Sequence, residues 1–401
     1  MPEAVIVATA RTPIGRAMKG SLKDLRRDDL SARVIEAVLD KVPLLDRTMV
    51  EDVLWGCAEP AGEAGDNVAR VAAILAGLRE VPGTTVNRYC SSSLQTIRMA
   101  AHAVRAGEGD VFLAGGVEAV SRYGEGMADM GKANPLFEPA MARTAARAAA
   151  GAPVWTPFDG FPDVYCAMGQ TAENVAQIEG VSRREQDEFA ALSQQRAVAA
   201  RDGGFFDEEV TPVTLADGTV VRRDDGPRPG TTVDTLADLQ PVFRPDGTIT
   251  AGNACPLNDG AAAVVVMSDT KARELGITPK ARIVASAVSA LDPEIMGLGP
   301  VGACRQVLAR AGMTIDDVDL VEINEAFAAQ VIPSARQLGI PWEKLNVNGG
   351  AIALGHPFGM TGARIMTTLL HNLEHTGGTI GLESMCVGGG QGMAMLVERV
   401  G

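Results

Sequence analysis

Three reactive side chains, Cys90, His356 and Cys386, stand in glycine- or serine-rich segments that are far apart in the chain. A thiol can act as a nucleophile, an imidazole can take up its proton, and a second thiol can donate or accept another proton. Together these groups could make or break a carbon–carbon bond in a thioester. Such chemistry requires a fold that brings the three segments together.

Cys90 lies between a predicted strand, 84–87, and a predicted helix, 91–105. The free N–H groups and the dipole at a helix start stabilise a thiolate, so this position is expected to lower the pKa of the thiol. The three serines that follow are small and leave room for a substrate. A buried structural cysteine is the alternative.

His356 occupies the same place in the second half of the chain as Cys90 does in the first. A duplicated fold would bring the two turns together near its pseudo-twofold axis. Of the other histidines, His102 is expected to be a partly exposed helix residue. His371 and His375 have the spacing of a metal-binding pair, but no third ligand motif accompanies them. They are therefore expected at a solvated helix end, and no metal site is predicted.

Cys386 comes just before three consecutive glycines that begin at Gly388. Glycines expose backbone N–H groups, which suit an oxyanion hole, although a flexible turn at a strand end is the alternative. Asn324 follows a predicted strand, 318–323, and should point toward the same end. There it could orient a water molecule or donate a hydrogen bond, and a helix N-cap is its alternative role.

Strand-like and helix-like segments alternate in both halves, which predicts an α/β fold with a largely parallel sheet. The predicted strands are 4–8, 50–56, 84–87, 111–115, 281–287, 318–323, 379–383 and 393–398. The predicted helices are 29–41, 67–78, 91–105, 183–201, 302–311 and 325–338. The segment 345–348 matches 84–87, which indicates an internal duplication.

The order of elements divides the chain into three predicted parts. The first half comprises residues 1–120 together with 245–270, and the second half comprises 271–401. Between them, 121–244 is rich in proline, carries one amphipathic helix and ends near a hairpin-like turn. Long insertions on such scaffolds usually carry binding specificity, so this one is expected to contact the substrate.

The overall composition limits the classes of function. The chain has 401 residues, is 46% hydrophobic and carries a net charge of −14, which argues against general nucleic-acid binding. Six scattered cysteines with no close pair indicate reduced thiols. The first apolar run, 4–8, is too short for a signal peptide or a membrane span. These features predict a cytoplasmic enzyme.

Several blocks of the sequence, in order, resemble the thiolases, which are acyl-CoA:acetyl-CoA C-acyltransferases. The resemblance extends over essentially the whole chain. The blocks are Asn-Arg-Tyr-Cys-Ser-Ser-Ser (87–93), Gly-Gly-Val-Glu-Ala-Val-Ser (115–121), Met-Gly-Gln-Thr-Ala-Glu-Asn (168–174), Thr-Ala-Gly-Asn-Ala (250–254), Asn-Asp-Gly-Ala-Ala (258–262), Asn-Glu-Ala-Phe (324–327), Asn-Gly-Gly (348–350), Gly-His-Pro (355–357) and Cys-Val-Gly-Gly-Gly (386–390).

The resemblance implies a duplicated thiolase-like α/β fold with a loop domain that holds coenzyme A, in a homodimer or homotetramer. It implies that Cys90 accepts the acyl group, that His356 activates it and that Cys386 is the acid and base at the acetyl-CoA carbon. Asn324 would hold a water that forms one oxyanion hole with His356. The N–H groups of Cys90 and Gly388 would form the other.

The resemblance also implies contacts to coenzyme A, which is a substrate here rather than a permanently bound cofactor. Arg228 matches the position that touches the adenine end, and Phe243 and Met168 match the wall of the pantetheine tunnel. Cys255 stands near the pantetheine where many thiolases have serine, which weakens that contact. Ala167 stands where acetoacetyl-specific thiolases have histidine, so the acyl pocket should be wider.

These features favour a broad 3-ketoacyl-CoA thiolase of fatty-acid β-oxidation, for which a hydratase/dehydrogenase subunit is a candidate partner. An acetoacetyl-CoA-specific acetyltransferase is the alternative. A 3-ketoacyl synthase relative would usually pair its cysteine with two histidines or with histidine and asparagine, so the second cysteine argues against it. A thiol redox sensor or a non-catalytic subunit is a further alternative.

Overall fold

The structure is a computed structural model that describes residues 2–128 and 131–401. Its strands are β1 Ala4–Arg11, β2 Gly15–Arg16, β3 Asp52–Gly56, β4 Gly83–Val86, β5 Val111–Ala119, β6 Val213–Thr214, β7 Val220–Val221, β8 Asn258–Ser268, β9 Ala281–Ala290, β10 Leu320–Ile323, β11 Ile380–Val387 and β12 Gln391–Arg399. Its α-helices are α1 Arg27–Asp40, α2 Val68–Leu75, α3 Ser92–Ala106, α4 Glu138–Arg147, α5 Met168–Glu179, α6 Arg183–Asp202, α7 Val233–Ala237, α8 Asp269–Glu274, α9 Gly299–Ala311, α10 Ala328–Leu338, α11 Ala351–Leu354 and α12 Thr361–Thr376.

Each half of the chain supplies one side of the main sheet, and the strands of the two halves follow in mirrored order. This arrangement confirms the predicted duplication. From one edge to the other the order is β4-β3-β5-β8-β1-β9-β12-β11-β10. The first half supplies the strands up to β1, and the second half supplies the rest in reverse. A single bridge between Val321 and Leu345 occupies the place that β4 holds in the first half. The segment 345–348 therefore corresponds to 84–87 in its position beside the sheet, but it does not form a full strand.

The prediction of a largely parallel sheet is wrong. Parallel pairing joins β3 to β4, β3 to β5 and β10 to β11, whereas the central pairings are antiparallel. The sequence analysis did not identify β8, which pairs with both β1 and β5. All eleven residues of β8 are buried, so the strand lacks the alternating pattern that marks a half-buried strand.

Helices cover both faces of the sheet. On one face α3 and α12 pack with apolar side chains from both halves. On the other face α1 and α2 cover the first half, and α9 and α10 cover the second half. The alternation of strand side chains explains this arrangement, since Ile6 joins the α3 and α12 layer while its neighbour Val5 joins the opposite one.

Helices α3 and α12 approach each other closely at Gly362. A methyl group at Gly362 would lie 2.4 Å from the backbone nitrogen of Leu94, so only glycine fits this contact. One residue further on, the N–H of Ala363 donates to the hydroxyl oxygen of Ser93 at 2.9 Å. The close contact brings together the turns that precede α3 and α12.

The inserted segment contains α4 to α7 and the β6–β7 hairpin. The amphipathic helix predicted over 183–201 is confirmed as α6, with a capping box at Ser182. The helix predicted from 325 instead begins at Ala328, after an extended Phe327. The three-part division of the chain remains a prediction.

Candidate active site

Cys90 lies in a tight turn, Tyr89–Ser91, between β4 and α3. Tyr89 has a positive φ of 44°, which is uncommon for a residue with a side chain. The side-chain oxygen of Asn87 accepts a hydrogen bond from the Tyr89 N–H at 2.8 Å and holds this turn. The turn places the Cys90 thiol at the start of the α3 region with 8% of the residue exposed.

The pKa of Cys90 corrects the expectation drawn from its position near a helix start. Burial raises the pKa of Cys90 to about 11, although the N–H groups of Gly388 and of Cys90 itself lower it. Loss of hydration therefore outweighs the dipole at this site. Cys90 is a neutral thiol at pH 7, and it requires a base when it reacts.

His356 is held at both its backbone and its ring. Its N–H donates to Oδ1 of Asn258 at 3.0 Å, and its Nδ1 lies 2.6 Å from the hydroxyl oxygen of Thr361. That hydroxyl donates its own hydrogen to the carbonyl of Pro357 at 2.7 Å. Thr361 therefore accepts from Nδ1–H, and Nε2 of His356 carries the lone pair.

The second ring nitrogen of His356 faces Asn324. Nδ2 of Asn324 lies 3.2 Å from Nε2 of His356 and donates to it. Oδ1 of Asn324 is buried and has no hydrogen-bond partner among the described residues. Because α10 begins only at Ala328, Asn324 is not the helix N-cap that was the alternative role.

Burial also controls the charge of His356. The residue is 1% exposed, and loss of hydration together with the positive charge of Arg364 lowers the pKa of His356 to about 3. The imidazole is therefore neutral at pH 7. A neutral ring whose Nε2 carries a lone pair is a proton acceptor.

The glycines after Cys386 form the turn between β11 and β12. Gly389 and Gly390 have φ of 74° and 76°, which favour glycine. The N–H of Gly388 donates to the sulfur of Cys90. A methyl group at Gly388 would lie 3.3 Å from the Tyr89 ring, so this turn packs directly on the Cys90 turn.

Three thiols meet at this point. Burial raises the pKa of Cys386 well above its ordinary value, and the nearby thiols of Cys90 and Cys255 raise it further. The Cys386 thiol also lies 3.4 Å from Oε1 of Gln330, to which it donates. Cys386 thus retains its proton at rest and is oriented by a side chain of α10.

Most of the residues predicted to contact coenzyme A lie together. Met168, Phe243 and Cys255 pack beside the buried Cys386 in one apolar cluster that also contains Phe327. Arg228 is exposed and has its backbone N–H bound to Oε1 of Gln194 at 2.8 Å. A buried apolar cluster and an exposed cation suit the apolar arm and the charged end of one long ligand.

Several residues that build the site were not identified from the sequence. Thr361 and Gln330 orient His356 and Cys386, as described above. Glu118 accepts from the N–H groups of Ala58 at 2.8 Å and Gly359 at 3.0 Å, and so ties the first half to the His356 turn. Glu118 lies inside a block that the sequence analysis used, but no spacing rule indicated its contacts.

The remaining histidines differ partly from expectation. His371 is 8% exposed rather than solvated, and its Nε2 lies 2.8 Å from a carboxylate oxygen of Glu208. His375 is exposed at the end of α12, as predicted. Among the described residues, no helix is long and apolar enough to cross a membrane.

Known proteins resemble this chain over its full length. A model of the thiolase N-terminal domain matches residues 4–270, and a model of the thiolase C-terminal domain matches residues 277–399. A 3-ketoacyl-CoA thiolase of Aeromonas hydrophila is 45% identical, and a 3-oxoadipyl-CoA/3-oxo-5,6-dehydrosuberyl-CoA thiolase of Escherichia coli is 46% identical. Both alignments cover 100% of each chain.

A solved structure gives the same result. The crystal structure of an acetyl-CoA acetyltransferase of Bacillus anthracis matches with a TM-score of 0.86 and 38% identity, over 100% of this chain and 99% of that chain. The relationship therefore holds for sequence and fold alike. The resemblance seen in the sequence is confirmed, and the chain belongs to the thiolase family of acyltransferases.

Proposed function

We propose that this enzyme cleaves 3-ketoacyl-CoA with free coenzyme A to give acetyl-CoA and a shortened acyl-CoA, and that it catalyses the reverse condensation. The observation that carries the proposal is the meeting of the Cys90 thiol, the Gly388 N–H and the Cys386 thiol at one buried point. Family membership and the 3-ketoacyl-CoA thiolase relative support the same reaction.

In the first half-reaction, the Cys90 sulfur attacks the 3-keto carbon while its proton passes to His356. The bond between carbons 2 and 3 breaks to give the enolate of acetyl-CoA, whose oxygen is stabilised by the protonated His356 and by a water bound to Asn324. Carbon 2 then takes the proton of Cys386. Acetyl-CoA leaves, and the acyl group remains on Cys90 as a thioester. The N–H groups of Cys90 and Gly388 stabilise the negative charge on the oxygen of the attacked carbonyl.

In the second half-reaction, an incoming coenzyme A gives its thiol proton to the Cys386 thiolate and attacks the acyl thioester. The Cys90 sulfur leaves and recovers its proton from His356. All groups return to their starting state, so no other proton source is needed.

The neutral resting state suits this sequence of steps. Burial keeps both the Cys90 thiol and the His356 imidazole uncharged at pH 7. An ion pair would be costly to form in the empty buried site. Hydrogen-bond donors and acceptors of the bound substrate stabilise the charges that form. The proton therefore passes from Cys90 to His356 only when substrate is present.

We further propose that the pantetheine arm lies along Met168, Phe243 and Cys255, with Arg228 at the adenine end, and that the enzyme acts as a homo-oligomer. The apolar cluster beside Cys386 supports the first point. The partly exposed edge strand β4, at one end of the main sheet, offers an unpaired edge for a second copy. A cytoplasmic location and a hydratase/dehydrogenase partner remain predictions from the sequence.

Replacement of the proposed nucleophile tests the function. Cys90→Ala should reduce CoA-dependent cleavage of acetoacetyl-CoA by at least about a thousandfold while the circular dichroism spectrum stays unchanged, since no other group accepts the acyl chain. Wild-type protein incubated with acetyl-CoA should carry one acetyl group on the peptide that contains Cys90. The matched control is Cys304→Ala, a buried cysteine of α9. Cleavage by Cys90→Ala at the wild-type rate would refute the assignment.

A further inference from the structure

Three aromatic side chains of the inserted segment, Phe137, Phe161 and Tyr165, form a cluster at the surface, which we term the aromatic surface. The ring centroids of Phe137 and Phe161 are 5.7 Å apart, and those of Phe137 and Tyr165 are 5.5 Å apart. Phe161 is 58% exposed and Tyr165 is 50% exposed. Only 4% of the chain is aromatic, and exposed apolar clusters of this kind mark binding surfaces.

The aromatic surface is continuous with the proposed catalytic turn. Val164, the neighbour of Tyr165 in the chain, has a methyl carbon 3.9 Å from where a methyl group on Gly389 would lie. The Tyr89 ring lies 4.0 Å from the same point. Gly389 belongs to the glycine turn that packs on the Cys90 turn. The segment that carries Tyr165 therefore lies beside the glycine turn that packs on the Cys90 turn.

The other side of the reacting centre is assigned to coenzyme A. Met168, Phe243 and Cys255 pack with Cys386 in a cluster that contains no residue of the aromatic surface. With the pantetheine arm in that cluster, an acyl chain on Cys90 would extend on the other side, past Val164.

A buried carboxylate fixes the aromatic surface relative to the glycine turn. Glu294 is 0% exposed and accepts hydrogen bonds from Nε1 of Trp155 at 2.8 Å and from the N–H of Asp163 at 3.1 Å. Arg143 of α4 forms an ion pair with the same carboxylate. The turn that contains Glu294 packs on Gly390, where a methyl group would lie 2.3 Å from the carbonyl oxygen of Leu291.

The charges around the aromatic surface do not provide a ready site for a carboxylate. Arg143 is neutralised by Glu294, and its guanidinium lies over the Phe158 ring at 4.8 Å. Lys132 is exposed and lies two residues before Asn134, whose N–H donates to the Tyr165 hydroxyl at 3.2 Å. Lys132 makes no contact with the aromatic rings that the structure records, and its replacement tests whether a carboxylate end binds here.

We propose that the aromatic surface is the subsite for the far end of the acyl chain, and that it favours 3-ketoacyl-CoAs with long apolar chains over those that end in a carboxylate. This inference rests on the proposed function. It also distinguishes two kinds of substrate that sequence identity does not distinguish. Thiolases named for 3-ketoacyl-CoA and for 3-oxoadipyl-CoA are 45% and 46% identical to this chain.

The test compares three substrates on the full-length enzyme: acetoacetyl-CoA, 3-ketododecanoyl-CoA and 3-oxoadipyl-CoA. Phe161→Ala should lower the kcat/KM ratio of 3-ketododecanoyl-CoA to acetoacetyl-CoA by about tenfold, mainly through KM, because an acetyl group ends beside Cys90 and gains little from the surface. The matched control is Leu44→Ala, which removes a side chain that is 61% exposed in the loop after α1. The control should leave the ratio unchanged.

Four outcomes would contradict the inference or its basis. The subsite would be overturned if Phe161→Ala left the kcat/KM ratio of 3-ketododecanoyl-CoA to acetoacetyl-CoA unchanged. It would also be overturned if wild type had a higher kcat/KM for 3-oxoadipyl-CoA than for 3-ketododecanoyl-CoA, and Lys132→Ala abolished that difference. A change of oligomer mass in Phe161→Ala, with the ratio unchanged, would assign the surface to a second copy instead. Failure of the wild-type enzyme to cleave any of the three substrates would refute the proposed function itself.

Discussion

At the scale of single residues, Thr361 determines which nitrogen of His356 carries the proton. Its hydroxyl donates to Pro357 and accepts from Nδ1 of His356 at 2.6 Å. The lone pair then lies on Nε2, which accepts a hydrogen bond from Asn324. The proposed base is therefore prepared by a residue that never touches the substrate.

Thr361→Val tests this positioning role. Valine keeps the shape but leaves Nδ1 without an acceptor, so the other tautomer gains population and kcat should fall by about ten- to a hundredfold, with a smaller change in KM. The matched control is Thr367→Val, since Thr367 on the same helix donates to the carbonyl of Ala363 and does not contact His356. If both variants lowered kcat equally, the effect would be structural. Thr361→Ser should restore most of the rate.

The proposed reacting groups could be predicted from residue types, but the residues that orient them could not. Cys90, His356 and Cys386 are reactive groups in glycine- or serine-rich turns, which is visible in the sequence. Thr361 and Gln330 are common residue types, and their contacts depend on how helices pack. The predicted lowering of the Cys90 pKa is wrong, because the extent of burial cannot be read from local sequence.

At the scale of elements, α3 and α12 carry the Cys90 and His356 turns, and their close approach sets the distance between those turns. Gly362 is the point of closest approach, where a methyl group would lie 2.4 Å from the backbone nitrogen of Leu94. The predicted duplication indicated that two such helices exist. It could not indicate the antiparallel centre of the sheet, because the fully buried β8 has no alternating pattern.

Gly362→Ala should destabilise the enzyme, although this change usually stabilises a helix by about 0.5–1 kcal/mol. The added methyl group meets backbone atoms, which cannot rotate away, so a loss of about 1–3 kcal/mol is expected in urea unfolding, together with lower activity. Gly302→Ala in α9 is the control, because its methyl group would meet only the Ser289 side chain at 3.0 Å. An unchanged unfolding midpoint for Gly362→Ala would show that the helices can move apart freely.

At the scale of the whole molecule, a buried network of charges joins the two halves and the insertion. Arg11 of β1 binds Glu209 at 3.2 Å and Asp224 at 2.8 Å, both in the inserted segment. Glu209 also accepts from Thr368 of α12 at 2.9 Å. In the second half, Glu322 is opposite Glu383 in the parallel register of β10 and β11, and both are buried.

The network makes the stability of the enzyme depend on pH through Glu322. Burial raises the pKa of Glu322 to about 8, only partly offset by the charge of Arg364. The unfolded chain releases this proton near pH 4.5, whereas the folded protein keeps it until about pH 8. Its contribution is therefore full below pH 4.5 and is lost as the pH rises through 8, so this group makes the enzyme less stable at high pH.

Glu322→Gln should remove this dependence, because the amide cannot ionise and its oxygen can still accept the hydrogen bond that Asn372 donates at 3.0 Å. Relative to wild type, the variant should gain about 3 kcal/mol in the free energy of unfolding between pH 5.5 and pH 8.5, measured by urea titration. Glu36→Gln, at an exposed position of α1, is the control and should follow the wild-type curve. Parallel curves for wild type and Glu322→Gln would mean that Arg364 keeps Glu322 ionised in the folded enzyme.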